Sequence, residues 1–158
     1  MQTLIGIKPS LTGNVSLQLS HLLADEFVLY VKTLNAHWNV EGADFYNKHI
    51  FFEQQYSELA EICDDVAERI RSLGHYSPAT LSSFLSLTHL TEKAEAGNSS
   101  NMFMRELLED HVSIIKFLRG SVNEFMDTYK DAGSSDFITG IIEKHEKMSW
   151  MLRAHFPG

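Results

Sequence analysis

Apolar residues recur along this chain with the spacing of a helix face. From about residue 15, Val15, Leu19, Leu22, Leu23, Phe27, Tyr30, Val31, Leu34 and Trp38 form one stripe. They advance by three or four positions, as a surface with about 3.6 residues per turn requires. Gly42 follows and gives the stripe a natural stop. After Asp44, a residue suited to capping, the pattern resumes and runs to Leu73, where Gly74 closes it. This predicts a second long helix.

The texture changes between residues 75 and 100. Pro78, Ser82, Ser83 and the run Ala96, Gly97, Asn98, Ser99, Ser100 mark loops, with a short helix predicted between them from Thr80 to Leu87. A third long helix follows, with Met104, Leu107, Leu108, Ile115, Leu118, Val122, Phe125 and Tyr129 on its inner face. Residues 131–135 interrupt it. Ser135 is the predicted cap of a last helix running from Asp136 to about Ala154. No segment alternates with the period of a strand, and no internal repeat or low-complexity tract stands out. The expected fold is all-α: a four-helix bundle with one long crossover carrying a short extra helix. Residues 1–14 read as a short irregular N-terminus, and residues 1–158 as a single domain.

Composition narrows the class of function. Apolar residues make up 44% of the chain and charged residues 22%, ordinary values for a globular protein. The formal net charge of -8 works against non-specific attraction to nucleic acid or anionic membranes and suits a cationic partner. Nothing approaches the ~20 apolar residues that span a bilayer. The N-terminus does not read as a signal peptide, so the expected compartment is cytoplasmic. Cys63 is the only cysteine, which excludes an intrachain disulfide and a thiolate metal cluster. It is expected to be a small packed residue.

The candidate chemistry lies on the second predicted helix. His49 and Glu53 form one i, i+4 pair and Asp64 and Glu68 another, mirrored about a midpoint near Glu58. At about 100° per residue the four fall within roughly 100° of arc, one face carrying metal-ligand side chains. Along the axis the pairs are roughly 16–22 Å apart, so one helix cannot close one site with all four. An antiparallel copy, related by a two-fold axis near residue 58, would set His49 and Glu53 against Glu68 and Asp64 of its mate. The spacing therefore predicts a metal site shared between two subunits. His37 joins the set, because the short turn at Gly42 folds the end of the first helix back beside His49. Carboxylate oxygens favour Fe(III) and imidazole holds Fe(II), so the mixed set suits a cycling iron ion, while zinc also tolerates these ligands. Taken singly, each residue reads first as an ordinary surface carboxylate or histidine; the joint spacing is what points to a site. No histidine has a glutamate three positions before it, which argues against a di-iron centre built inside one subunit from Glu-x-x-His pairs. His21, His75, His89, His111, His145 and His155 show no comparable partnering and are assigned to surface or core.

These residues carry a family resemblance. Lys32 through Gly42, with His37, Trp38, Asn39, Val40 and Glu41, followed by Phe45, His49, Phe52, Glu53, Asp64, Glu68, Arg69 and Ile70, resembles the signature of the Dps mini-ferritins (DNA-binding protein from starved cells). The likeness extends from about residue 15 to 155, including Trp150 to Arg153, and is most specific over residues 32–74. It implies a four-helix ferritin-like subunit, assembled through two-fold dimers into a hollow dodecamer. It also implies oxidation of Fe(II), preferentially by hydrogen peroxide and otherwise by oxygen, with storage of Fe(III) mineral and protection against oxidative damage. The ferroxidase ligands it implies are His37, His49 and Glu53 of one subunit with Asp64 and Glu68 of the two-fold mate. Glu53 stands where many members have Asp. Zinc is expected as a substitute or inhibitor at this site. Trp38, beside a ligand, is expected either to pack or to intercept radicals. Acidic residues near the start of the last helix line iron-admitting pores in the family, a region matched by Asp136 and Asp131; Asp136 reads equally as complementing the helix dipole. The alternative function is a DNA-binding nucleoid protector with secondary iron chemistry. Only Lys8 precedes the first helix, so direct DNA binding at neutral pH is not expected.

Overall fold

A computed structural model describes residues 5–93 and 97–156 of the chain. Residues 1–4 of the expected irregular N-terminus and Ala96 of the expected loop run lie outside the described residues. The elements are α1 (Pro9–Asn39), α2 (Phe45–Ser72), α3 (Leu81–Leu87), α4 (Ser100–Asn123), a π-helical segment (Glu124–Thr128) and α5 (Ala132–Arg153). Among the described residues there is no strand; one isolated parallel bridge joins Glu41 and Ser99. The all-helical bundle with a short helix in its crossover is as the periodicity predicts.

The structure corrects the sequence reading at three boundaries and on one helix face. α1 begins at Pro9, before the apolar stripe, so the irregular N-terminus is shorter than residues 1–14. Proline suits a first helical position because its φ is already helical and its missing N–H has no partner to lose there. The first inward side chain is Thr12, which donates to Pro9 O at 3.0 Å and meets His75 Nε2 at 3.0 Å; a polar residue hid the helix start. At the far end of the stripe, Val31 and Trp38 face outward rather than into the core, at 46% and 67% exposure.

α4 stops at Asn123, and the π-helical turn carries the chain to Tyr129, whose hydroxyl donates to Glu124 Oε1 at 2.6 Å. Lys130 then leaves with φ +57°. α5 starts at Ala132, capped by Asp131 rather than Ser135. The Asp131 carboxylate accepts from Ser134 N at 2.9 Å and from Ser134 Oγ at 2.5 Å, while Ser135 Oγ donates to Val122 O. An ionised carboxylate is the stronger acceptor for the free amides of a first turn.

The core is one cluster to which all four long helices contribute. Leu19, Leu22 and Leu29 of α1, Phe52, Leu59, Ile62 and Ile70 of α2, and Met104, Leu107 and Ile114 of α4 are fully buried, and Ile138 and Leu152 of α5 join them. A buried cation ties α1 to α4: Lys32 Nζ lies 3.0 Å from Glu106 and 2.5 Å from Asp110, and donates to Thr91 O at 3.2 Å. These contacts hold α1 and α2 as an antiparallel pair whose joined ends carry the candidate ligands.

Candidate metal centre

The turn between α1 and α2 is short and tied down. Gly42 takes φ +127°, a conformation that side chains disfavour. Glu41 N donates to Asn98 O at 2.9 Å, and Ser100 Oγ donates to Asp44 Oδ2 at 2.7 Å. Asp44 therefore occupies the cap position of α2 without bonding α2's own amides; its carboxylate is committed to α4.

Across that turn His37 and His49 clasp each other. His37 Nδ1 donates to His49 O, and His49 Nδ1 donates to His37 O, both at 2.8 Å. A carbonyl oxygen only accepts, so each Nδ1 carries the hydrogen and each Nε2 of the neutral ring keeps its lone pair. The rings stack with centroids 3.8 Å apart, Phe45 stacks on His49 at 5.3 Å, and Tyr56 stands edge-on to His37 at 5.1 Å. Orientation of a ligating imidazole through its other ring nitrogen is how proteins set up metal-binding histidines. His37 is buried and His49 half-buried.

The carboxylates stand apart. Phe52, Leu59, Ile62, Val66 and Ile70 turn α2 onto the core, leaving Glu53, Asp64 and Glu68 exposed. Glu53 shares the histidine end of the helix. Asp64 and Glu68 stand at the other end, where Arg69 anchors α2 to α5 through Ser134 Oγ at 3.0 Å and Asp131 Oδ1 at 3.2 Å. Among the described residues of the single chain, no three His, Cys, Asp or Glu side chains converge in a metal-binding arrangement. Within one chain the candidate set is thus divided between the two ends of α2.

Other expectations meet the structure differently. Trp38 points into solvent, and among the described residues the α2 rings in contact with candidate ligands are Phe45 on His49 and Tyr56 on His37, not the indole. Asp131, offered for an iron-admitting pore, is 2% exposed and fully engaged with Arg69 and Ser134. It is a structural cap, and the pore expectation falls to Asp136, which is exposed. Cys63 packs against the core, and burial, reinforced by the charge of Glu26, pushes its thiol far above the ordinary range. A thiol held protonated is a packed residue rather than a nucleophile. Burial also lowers the Lys48 amine, against the pull of Asp44.

Two histidine groups went unseen in the sequence. His145 Nε2 donates to Glu26 Oε1 at 2.7 Å and its Nδ1 meets His111 Nδ1 at 2.8 Å, with all three residues fully buried. The available signal was position: His111 follows Leu107 by four residues, and His145 precedes Met148 by three, both on core-facing stripes. The second group, His21, His89 and Asp25, joins α1 to the segment after α3. Among the described residues no helix is long and apolar enough to cross a membrane.

Comparison with known proteins follows the same lines. Residues 16–157 match the ferritin-like domain family. The chain is 39% identical over 140 residues to a DNA protection during starvation protein of Helicobacter pylori, covering 87% of this chain and 94% of the relative. It is 38% identical to an uncharacterized low temperature-induced protein of Nostoc, over 98% of this chain and 86% of the relative. Among solved structures, Dps from Bacillus brevis superposes with a TM-score of 0.86 at 32% identity, covering 98% of this chain and 99% of that one. Dps from Vibrio cholerae, described as one of the ferritin-like diiron-carboxylate proteins, gives a TM-score of 0.90 at 28% identity, covering 97% and 95%. The chain therefore belongs to the ferritin-like domain family and, within it, to the Dps mini-ferritins.

Proposed function

We propose that this chain is the subunit of a ferroxidase and iron-storage shell that oxidises Fe(II), with hydrogen peroxide as the preferred oxidant, and holds the Fe(III) product as mineral. Iron is the substrate. Its site lies between two-fold mates, with His37, His49 and Glu53 from one subunit and Asp64 and Glu68 from the other, and the assembly is the hollow dodecamer of the family. The observation that carries the reading is the reciprocal His37–His49 clasp. It leaves imidazole lone pairs at the end of α2 that also carries the exposed Glu53, opposite the end that carries Asp64 and Glu68. A second subunit laid antiparallel on α2 supplies what the single chain leaves apart. Val31, Trp38, Phe45 and Tyr46, all at least 44% exposed in the single chain, provide apolar surface on α1 and α2 for that contact.

Two Fe(II) ions each yield one electron, the peroxide O–O bond accepts the pair, and hydrolysis of Fe(III) releases protons. The protein's part is to orient the imidazoles, supply carboxylates that favour Fe(III), and hold both fixed while the ion changes charge. Consuming Fe(II) and peroxide together removes the reactants of hydroxyl-radical formation, which protects DNA without contact. The net charge of -8 favours this route over direct DNA binding. Zinc, accepting the same ligands, is expected to compete with iron.

The test is anaerobic loading of the metal-free protein with Fe(II), then a peroxide pulse followed by ultraviolet absorbance of Fe(III). Wild type is expected to oxidise fast and keep soluble mineral in a large particle, and Asp64→Ala/Glu68→Ala to lose the fast phase. Equal rates in both proteins would make those carboxylates architectural and overturn the assignment.

A further inference from the structure

We propose that His21 and His89 form a second cation site, distinct from the α1–α2 clasp, that takes a borderline divalent ion such as Cu(II) or Zn(II). His21 Nδ1 donates to Leu87 O at 2.7 Å, and His89 Nδ1 donates to Asp25 Oδ2 at 3.0 Å. Both acceptors are oxygens without a hydrogen to give, so both Nε2 atoms of the neutral rings are left with lone pairs. This is the tautomer arrangement of His37 and His49, reached with different partners. Among the described residues nothing bonds to either Nε2.

The rings are held, not merely adjacent. His21 and His89 stack with centroids 5.1 Å apart and 29° between their planes, and Phe117 packs against His89 at 4.9 Å. Two imidazoles bound to one tetrahedral ion at ordinary metal–nitrogen distances have centroids about 5 Å apart. Asp25 is 1% exposed and also accepts from Thr88 Oγ1 at 2.7 Å and His89 N at 2.6 Å. It is committed to orienting His89, the outer role that carboxylates play behind ligating histidines. The His89 side chain is 47% exposed, so an ion reaches the pair from solvent.

The donor set selects the ion. Two neutral nitrogens with Asp25 turned away favour an imidazole-seeking borderline cation over Fe(III), which wants anionic oxygen. Water completes the coordination. His21 and His37 lie on one helix about 24 Å apart, too far to share an ion. The site therefore stands independently of the iron-oxidising reading, and its failure would leave that reading untouched.

Copper titration of the metal-free assembly, followed by electron paramagnetic resonance, tests it. In a His37→Ala/His49→Ala background the assembly is expected to bind Cu(II) with hyperfine structure from two imidazole nitrogens. Adding His21→Gln should weaken binding at least about tenfold and leave one nitrogen, and adding His89→Gln as well should abolish it. His21→Gln loses one bond to a carbonyl and keeps the Asp25–His89 pair, so it guards against a folding artefact. In the otherwise wild-type protein, His21→Gln should leave peroxide-driven iron oxidation unchanged. Copper affinity and nitrogen count that do not move with His21→Gln would overturn the proposal.

Discussion

His111 and His145 meet Nδ1 to Nδ1 at 2.8 Å inside the apolar core, and His145 turns its other nitrogen to Glu26 at 2.7 Å. Three helices are thereby joined by a polar chain with no exposure to water. Breaking a buried pair by removing one partner costs about 3–5 kcal/mol, because the remaining charge is stranded, whereas replacing both with apolar residues is often nearly neutral. His145→Leu should therefore lower stability by that amount, and Glu26→Leu/His111→Leu/His145→Leu, which removes the whole chain, should recover much of it. Urea unfolding at one fixed protein concentration measures both. A single-variant loss within about 0.5 kcal/mol, the range of ordinary surface changes, would mean the chain carries no weight.

The same chain sets an acid limit. Burial, and then the neighbouring His145, hold His111 well below its ordinary pKa. The folded state thus binds fewer protons at this group than the unfolded state, whose histidine titrates near pH ~6.5. Stability rises with pH where the unfolded state binds more protons, so the contribution is complete above pH ~6.5 and is lost as pH falls below it. The slope from this one group is at most about 1.4 kcal/mol per pH unit. Urea midpoints between pH 7.5 and 5 should fall steeply for wild type and more shallowly for His111→Gln. Asp110, pushed up mainly by burial, has the opposite sign at lower pH, and comparing the two proteins at matched pH cancels it. Parallel profiles would show that His111 is not the group responsible.

Asp131 and Asp136 separate a structural acid from a surface one. Asp131 caps α5 and receives Arg69 from α2, so Asp131→Ala should cost about 0.5–2 kcal/mol as a lost cap, with more from the stranded guanidinium. Asp136 is exposed just past the first turn of α5. Asp136→Asn should change the melting temperature little but slow Fe(II) uptake into the assembled shell, more so at low ionic strength where carboxylate steering acts furthest. Uptake rates equal to wild type at all salt concentrations would remove Asp136 from the path of iron.

The helices were legible where burial follows period, as along Phe52, Leu59, Ile62, Val66 and Ile70 of α2. They were misread where a polar residue does the burying: Thr12 concealed the start of α1. Asp131 and Ser135 are both good caps by type, and Arg69, distant in sequence, is part of what commits Asp131. The closeness of His37 and His49 followed from a short turn, but their reciprocal bonds depend on ring geometry that no spacing encodes. Glu26, His111 and His145 are joined by contacts 34 and 119 residues apart, which only the packed bundle brings together.

The proposed division of ligands between mates predicts complementation. His37→Ala/His49→Ala and Asp64→Ala/Glu68→Ala subunits should each assemble into inactive homomeric shells, because every two-fold site then lacks either its imidazoles or its distal carboxylates. Disassembled and reassembled together, they form mixed dimers in which one site collects both lesions and the other collects none, since a two-fold contact uses the same patch on both partners. Random mixing should restore about a quarter of wild-type sites, read as the fast phase of Fe(II) oxidation after a peroxide pulse. A site closed within one subunit would give no recovery at any mixing ratio. Recovery that peaks at equal proportions and vanishes toward either parent would require that Asp64 and Glu68 act on the histidines of a neighbour.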